Sequence, residues 1–234
     1  MNSEKFVIVN AYGRSNRGDS VLLDECLDEI KSSKKNVNLH CIIFDDKDFS
    51  NQIDSDVTWS FRIGNTVSNG ILAKIITMLF LLISVLATFK FFQWLIYLLP
   101  QSQRLSWKKI YQSDYVISAP GGYIHDTNFA YYIALMHIWL GVRFKKKVIL
   151  APQSIGPIDG SFSKKICQFV LKEVDVICAR ESYTYNFLIN ELFLEESKVF
   201  KTGDSAFWNF NVIKNKEYIQ KTFEDIKISN LENN

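Results

Sequence analysis

Apolar and polar positions along this chain fall into alternating blocks, some with the period of a strand and some with that of a helix. Lys5–Asn10 is a short apolar strand running into Ala-Tyr-Gly, and a polar loop at 13–20 feeds a helix through about Ile30. Val21, Leu22, Leu27 and Ile30 give that helix an apolar face, and Asp24 and Glu25 an acidic one. Val37–Phe44 reads as a second strand, 45–56 as an acidic solvated loop, and Val57–Ile63 as a third, weaker strand. Beyond Pro100, 101–112 reads as a polar helix and Tyr115–Ile117 as a buried strand. Gly121-Gly122 then reads as a turn free of side chains, where a backbone can approach a ligand.

Asp126 stands as the N-cap of an apolar helix, Phe129–Val142, on which His137 reads as a satisfied core residue. A basic turn, Lys145–Lys147, precedes the strand Val148–Ala151, and Pro152–Pro157 reads as a rigid, apolar turn. The helix Ser163–Val174 places Ile166, Phe169, Val170 and Val174 on one face. A strand at Asp175–Ala179, a helix to about Leu192 and a strand at Ser197–Lys201 follow, and the chain becomes polar from about 210.

Residues 71–99 break this pattern. The run from Ile71 to Leu99 is almost wholly apolar, interrupted by Lys74, Lys90 and Gln93. Three readings stand open: a membrane span, a buried helix or helix pair, and a hairpin lying in the plane of a membrane surface. The charge-free run Ile75–Phe89 is shorter than the ~20 residues of a span. A single crossing would also put the first strands and the Tyr115–Ile117 strand on opposite sides of a bilayer, so that they could not share a sheet. Lys90 beside Phe91, Phe92 and Trp94 suits the in-plane arrangement.

Composition narrows the class. The 47% hydrophobic content is ample for a core in 234 residues, and a net charge of +2 gives no basic excess on the scale of nucleic-acid binding. Cys26, Cys41, Cys167 and Cys178 have no metal or redox spacing and read as buried free thiols suited to a reducing cytosol. No signal-peptide pattern precedes the first strand.

Strand–helix alternation through the whole length predicts an α/β fold, a Rossmann-like, doubly wound and mostly parallel sheet. Such sheets bind ligands at the carboxyl ends of their strands. The polar and glycine-rich stretches Asn10–Asp19, Ser118–Asp126, Pro152–Gly156, Arg180–Tyr183 and Gly203–Asp204 each follow a strand. Loops at the opposite edge, such as Lys31–Asn36, are merely charged.

Gly13 and Gly18 have the separation of a phosphate-binding loop, but Asp19 replaces its lysine and would repel a triphosphate, which excludes a nucleoside triphosphatase. Arg14 and Arg17 remain to meet an anion, and Asp19 either caps the next helix or touches a ligand. The first turn has no GxGxxG, and no His/Cys/Asp cluster has metal spacing. His125 and Asp126 make a candidate acid/base pair, or a surface histidine beside a cap. Arg180 either pairs with Glu181 or faces the cleft, and Gly203-Asp204 is either a plain turn or part of the site.

Five pieces taken together resemble the polysaccharide pyruvyl transferase family. They are Asn16-Arg-Gly-Asp19; Ser113-Asp-Tyr-Val-Ile-Ser with Gly121-Gly122; Pro152-Gln-Ser-Ile-Gly-Pro157; Ala179-Arg-Glu-Ser182; and Thr202-Gly-Asp-Ser-Ala-Phe207. The resemblance implies one half of a GT-B architecture, the N-terminal, acceptor-side half. It also implies transfer of a pyruvyl group from phosphoenolpyruvate to a sugar hydroxyl of a cell-surface polysaccharide, with no cofactor beyond that co-substrate and no metal.

On this reading Asp19 and His125 are the catalytic candidates. Arg14, Asn16, Arg17, Gly18, Gly121, Gly122, Gln153, Ser154, Arg180, Glu181 and Asp204 are the substrate-binding candidates. Residues 1–209 form the Rossmann-like domain with its apolar helical insertion at about 71–99, and 210–234 begin a second domain. No arginine follows Arg180, so a partner half is expected to supply the cations that hold the donor. The expected partners are a saccharide acceptor, lipid-linked in one version, a membrane surface through 71–99 and the second-domain chain, with no nucleic acid. The expected location is cytoplasmic, peripheral at the inner face of the cell membrane in that version. Two other readings share the fold: a nucleotide-sugar glycosyltransferase, and an inactive remnant or membrane-docked accessory.

Overall fold

The first apolar run becomes β1 (Glu4–Ala11), and it is apolar without alternation because helices cover both of its faces. Phe6 and Ile8 enter one core, Val7 and Val9 the other, as the two-residue period of a strand dictates. The computed structural model describes residues 3–12, 16–33, 36–44, 56–61 and 70–205. From β1 the chain steps outward to β2 (Val37–Ile43) and β3 (Asp56–Trp59). It then returns to the other side of β1 with β4 (Tyr115–Ser118) and moves outward through β6 (Lys147–Ile155), β7 (Val176–Ala179) and β8 (Val199–Lys201). All these pairings are parallel. The direction reverses between β1 and β4, so the carboxyl ends of those two strands flank the crevice in which such sheets take ligands.

Helix α1 (Arg17–Ser33) packs Leu23, Leu27 and Ile30 on one face of the sheet. The opposite face carries α3 (Gln101–Gln112), α4 (Ala130–Arg143), α5 (Ser161–Leu171) and α6 (Ser182–Asn186). There Trp107, Tyr131, Ile133 and Leu135 are fully buried, each worth roughly 1.5–3 kcal/mol of transfer from water. Phe169, placed by its spacing on the inner face of α5, is instead exposed.

Three local expectations need correction. Gly121-Gly122 is not a turn but the start of a strand, β5 (Gly121–Ile124), which pairs with the far half of β6. Likewise Pro152–Ile155 is not a turn but the continuation of β6. β4 and β5 therefore form one interrupted line beside a single long strand, broken at Ala119-Pro120 because proline cannot donate to a ladder. Asp126, finally, does not cap α4, whose first turn is bonded by Asn128 (Ala130 N–H to Asn128 Oδ1, 2.8 Å). Its carboxylate accepts the Gly160 and Asp159 N–H groups at 2.9 and 3.3 Å and so holds the turn that leads into α5. Those backbone bonds hold the Asp126 carboxyl below its ordinary pKa. Asp126→Ala is expected to lower stability by about 1 kcal/mol, read as a shift in denaturation midpoint at constant slope.

The apolar segment folds as a pair of helices. α2 (Ile71–Leu86) is followed by a 3-10 helix at Lys90–Leu98. Among the described residues no helix is long and apolar enough to cross a membrane, which removes the spanning reading. At 16 residues α2 is about 24 Å long, short of a ~30 Å hydrocarbon core. Arg62 and Ile63 at the end of the expected third strand, the 45–55 loop and the 210–234 tail lie outside the described residues.

Candidate functional site

At the carboxyl edge, the turn after β1 delivers Asn16, Arg17, Gly18 and Asp19. Asn16 is the residue that caps α1: its Oδ1 accepts the Gly18 N–H at 3.0 Å. Asp19 is thus left to another task, and its carboxylate accepts a hydrogen bond from the Tyr123 hydroxyl on β5. Tyr123 was not foreseen. Its ring stacks on Tyr12 at 4.5 Å between centroids, and Tyr12 stacks on Phe44 at 5.0 Å. Burial first, then the Asp19 charge, raise the Tyr123 phenol above its ordinary pKa, while Arg180 acts in the opposite sense. Tyr123 is therefore within electrostatic reach of both Asp19 and Arg180, which follow different strands.

Arg180 follows β7 and pairs not with Glu181 but with Asp204, Nη2 to Oδ2 at 2.6 Å. Gly203 takes φ 80, a left-handed turn that glycine adopts without strain, between β8 and Asp204. The Arg180 side chain keeps 34% of its surface exposed, so the pair is open to solvent in part. Glu181 turns the other way: Ser154 Oγ donates to it at 2.8 Å, and Thr184 Oγ1 donates as well. The sequence-predicted Ser154 and Glu181 thus meet each other, and Glu181 is the N-cap residue of α6.

Gln153 is wholly buried. Its Nε2 donates to Ser118 Oγ at 2.7 Å and to the Ala119 carbonyl at 2.6 Å, bridging the break between β4 and β5. Its amide nitrogen thus stitches the sheet beneath the site, while its buried Oε1 has no hydrogen-bond partner among the described residues. Ser118 also receives Asn10 Nδ2 at 3.0 Å, and Asn10 Oδ1 meets His137 Nδ1 at 2.8 Å. Asn10 sits at a bulge in β1 with φ 63, a left-handed conformation that asparagine tolerates better than most residues. His137 is a core residue as expected, yet only half satisfied, because its Nε2 has no partner among the described residues. Burial lowers its pKa to about 3.

His125 also lies at this edge, half-buried, and its Nδ1 meets Thr127 Oγ1 at 2.6 Å. With Asp126 engaged at α5, the two do not form an acid/base pair. Gly122 is exposed beside Ser154, Gly121 is buried, and Arg17 and Gly18 are exposed. Arg14 lies outside the described residues. A depression of about 540 Å³ opens at the opposite edge among Glu4, Asp114, Tyr115 and Lys145–Lys147. It shares no residue with the Asp19–Tyr123–Arg180–Asp204 cluster, which lies where a parallel sheet takes its ligands. Among the described residues no group of His, Cys, Asp and Glu is placed to hold a metal ion. All four cysteines are free, with Cys41 and Cys167 buried and Cys26 and Cys178 half-buried.

Tyr123 carried one signal in the sequence. Gly-Gly-Tyr-Ile ends in an aromatic and a β-branched residue, both favoured in strands, and the glycine pair masked them.

Comparison with family models gives a match over residues 16–232 to polysaccharide pyruvyl transferase. Comparison with proteins of curated function gives no significant match. Among solved structures, the chain is similar to an uncharacterized protein from Klebsiella pneumoniae subsp. pneumoniae at 18% identity and a TM-score of 0.43. The similarity covers 89% of this chain and 53% of that one, so this chain spans about half the length of the structure it matches.

Proposed function

Since the chain belongs to the polysaccharide pyruvyl transferase family, we propose that its carboxyl-edge cluster is the acceptor side of a site that transfers pyruvate from phosphoenolpyruvate to a saccharide as a ketal. The observation that carries the proposal is the convergence of Asp19, Tyr123, Arg180 and Asp204 from three loops and a strand beside the β1/β4 reversal. Ketal formation adds two sugar hydroxyl oxygens to C2 of the donor and breaks its C2–O bond to phosphate. One hydroxyl proton goes to C3, which becomes the methyl group, and the other leaves with the phosphate. Such a reaction needs a base near a hydroxyl and positive charge near the phosphate and carboxylate.

On this reading Asp19 takes a hydroxyl proton, and Tyr123, bonded to it, fixes its orientation. Arg180 carries charge toward the phosphate, and its partner Asp204 holds the guanidinium in place. A single arginine with Arg14 and Arg17 is a thin set of cations for a donor with two anionic groups. The remaining donor contacts are assigned to a second half, begun by 210–234 or carried by a partner chain. A lipid-linked saccharide is an acceptor this open edge would admit.

The test is incorporation from labelled phosphoenolpyruvate into saccharide acceptors, run with and without the product of the adjacent reading frame. Acid-labile ketal label with stoichiometric phosphate release is expected, and Arg180→Gln should reduce it by about 100-fold. Label from a nucleotide sugar but not from phosphoenolpyruvate would assign the chain to the glycosyltransferases instead. No product from either donor would support a non-enzymatic role.

A further inference from the structure

The α2 helix is inside out. An ordinary surface helix buries its apolar stripe and exposes its polar one. Here Thr77, Leu81 and Ser84 face the protein, while Ile71, Leu72, Ile75, Met78, Leu79 and Leu82 form an exposed apolar stripe. The 3-10 helix that follows extends this surface with Phe91, which is 91% exposed, and Trp94, which is 61% exposed. Internal bonds hold the pair to the domain from behind. Trp107 Nε1 donates to the Ser84 carbonyl at 3.2 Å, and Arg143 Nε donates to Thr88 Oγ1 at 3.3 Å. The exposed side is therefore fixed by the fold.

Charge identifies what covers it. From Val57 to Ser113 the sequence contains no aspartate or glutamate and six lysines and arginines, of which Lys109 pairs with Asp56 on β3. Lys74 and Lys90 lie on the apolar pair itself, and Arg104 and Lys108 both lie 5.5 Å above the exposed ring of Tyr97. Arg143 lies 5.1 Å above Phe89. A wide apolar stripe with aromatic residues and a rim of one sign is what an anionic lipid interface accommodates. A second copy of this chain does not fit, because a two-fold interface would set this all-positive rim against itself.

We propose that α2 and the Lys90–Leu98 helix lie in the plane of an anionic membrane surface, with the apolar stripe, Phe91 and Trp94 in the headgroup–acyl boundary. The 3-10 helix ends where α3 begins, beside the carboxyl end of β3. Hydrogen bonds there from Trp59 N–H to Ser102 Oγ and from Gln103 Nε2 to the Ser60 carbonyl mark that end. The docked surface thus abuts the edge that carries Asp19 and Arg180. Lipid docking stands independently of the transferase reading, because vesicle binding needs no substrate.

The experiment is cosedimentation of the full chain with vesicles of phosphatidylcholine, alone or mixed with phosphatidylglycerol. Binding to the anionic vesicles is expected. The pair Phe91→Ser with Trp94→Ser should weaken it by roughly tenfold or more. The pair Lys74→Glu with Lys90→Glu should weaken binding to phosphatidylglycerol vesicles by at least about tenfold and remove the preference for them. Quenching of tryptophan emission by brominated acyl chains in the unsubstituted protein is the second readout and does not depend on how the variants fold; Trp94→Phe should remove it. Failure to bind either vesicle, binding unchanged by the apolar pair, or no quenching would overturn the proposal. So would a stable homodimer that ignores vesicles and is dissociated by the Phe91/Trp94 substitutions, or lipid-free capture of an acidic protein by the same surface.

Discussion

Gly121→Ala is expected to dismantle the candidate site and to destabilise the chain by about 2–5 kcal/mol. Gly121 takes φ 145, a conformation side-chain-bearing residues rarely adopt, and a Cβ there would lie 2.4 Å from Cζ of the Tyr123 ring. Backbone strain and ring expulsion therefore act together. The ring leaves its stack on Tyr12, and Asp19 loses the hydroxyl that bonds it. Tyr123→Phe is the contrasting variant: it keeps the ring and its stacking and removes only the hydroxyl, so stability should change by less than about 1 kcal/mol. Denaturant midpoints of the two variants check the claim. If Gly121→Ala matched the unsubstituted chain in midpoint and slope, the seat of Tyr123 would be other than described.

The second large effect is acid lability well above the carboxylate range. His137 and His40 are buried and neutral, with pKa values lowered to about 3 and about 4 by burial. For His40, nearby Lys109 lowers it further and Asp56 opposes. Each histidine binds a proton near pH 6.5 in the unfolded chain and cannot do so in the folded one. The unfolded state therefore holds more protons throughout the window from about pH 6.5 down to 3–4, and stability falls as pH falls through it. Between pH 6.5 and 5 the loss amounts to about 1–2 kcal/mol per histidine. The carboxylate of Asp126 does not contribute there, since its lowered pKa places its loss below the usual carboxylate value. Urea midpoints at the two pH values, for the chain and for His40→Gln, measure the effect. The variant should show about half the slope, and a flat profile in the unsubstituted chain would refute the assignment.

Much of the fold was legible because the cause was local and repeated. Blocks of strand and helix period give a parallel α/β sheet, and the glycine-rich and polar stretches sort to one edge for topological reasons. Less of the candidate site was legible. Asp19, Arg180 and Asp204 were named, but their partners were not. The Arg180–Asp204 pair depends on how far β8 lies from β7, and the Asp19–Tyr123 bond on a strand the glycine pair hid. Gln153 looked like a ligand contact because it stands between prolines in a stretch that read as a turn. Only the break at Ala119-Pro120, visible in three dimensions, shows that its amide is used within the sheet. The exposure of α2 was equally hidden, since an apolar run gives no sign of which side is covered.

The return of the chain to β1 has a consequence for biosynthesis. Phe6 on β1 finds its neighbour Tyr115 on β4 only after the whole apolar stretch has been made. As the polypeptide leaves the ribosome, the greasy segment emerges while the central strand still has an open edge, and sheet closure must await a distant partner. The nascent chain is thus most exposed to aggregation during the interval between translation of Ile71 and translation of Ser118.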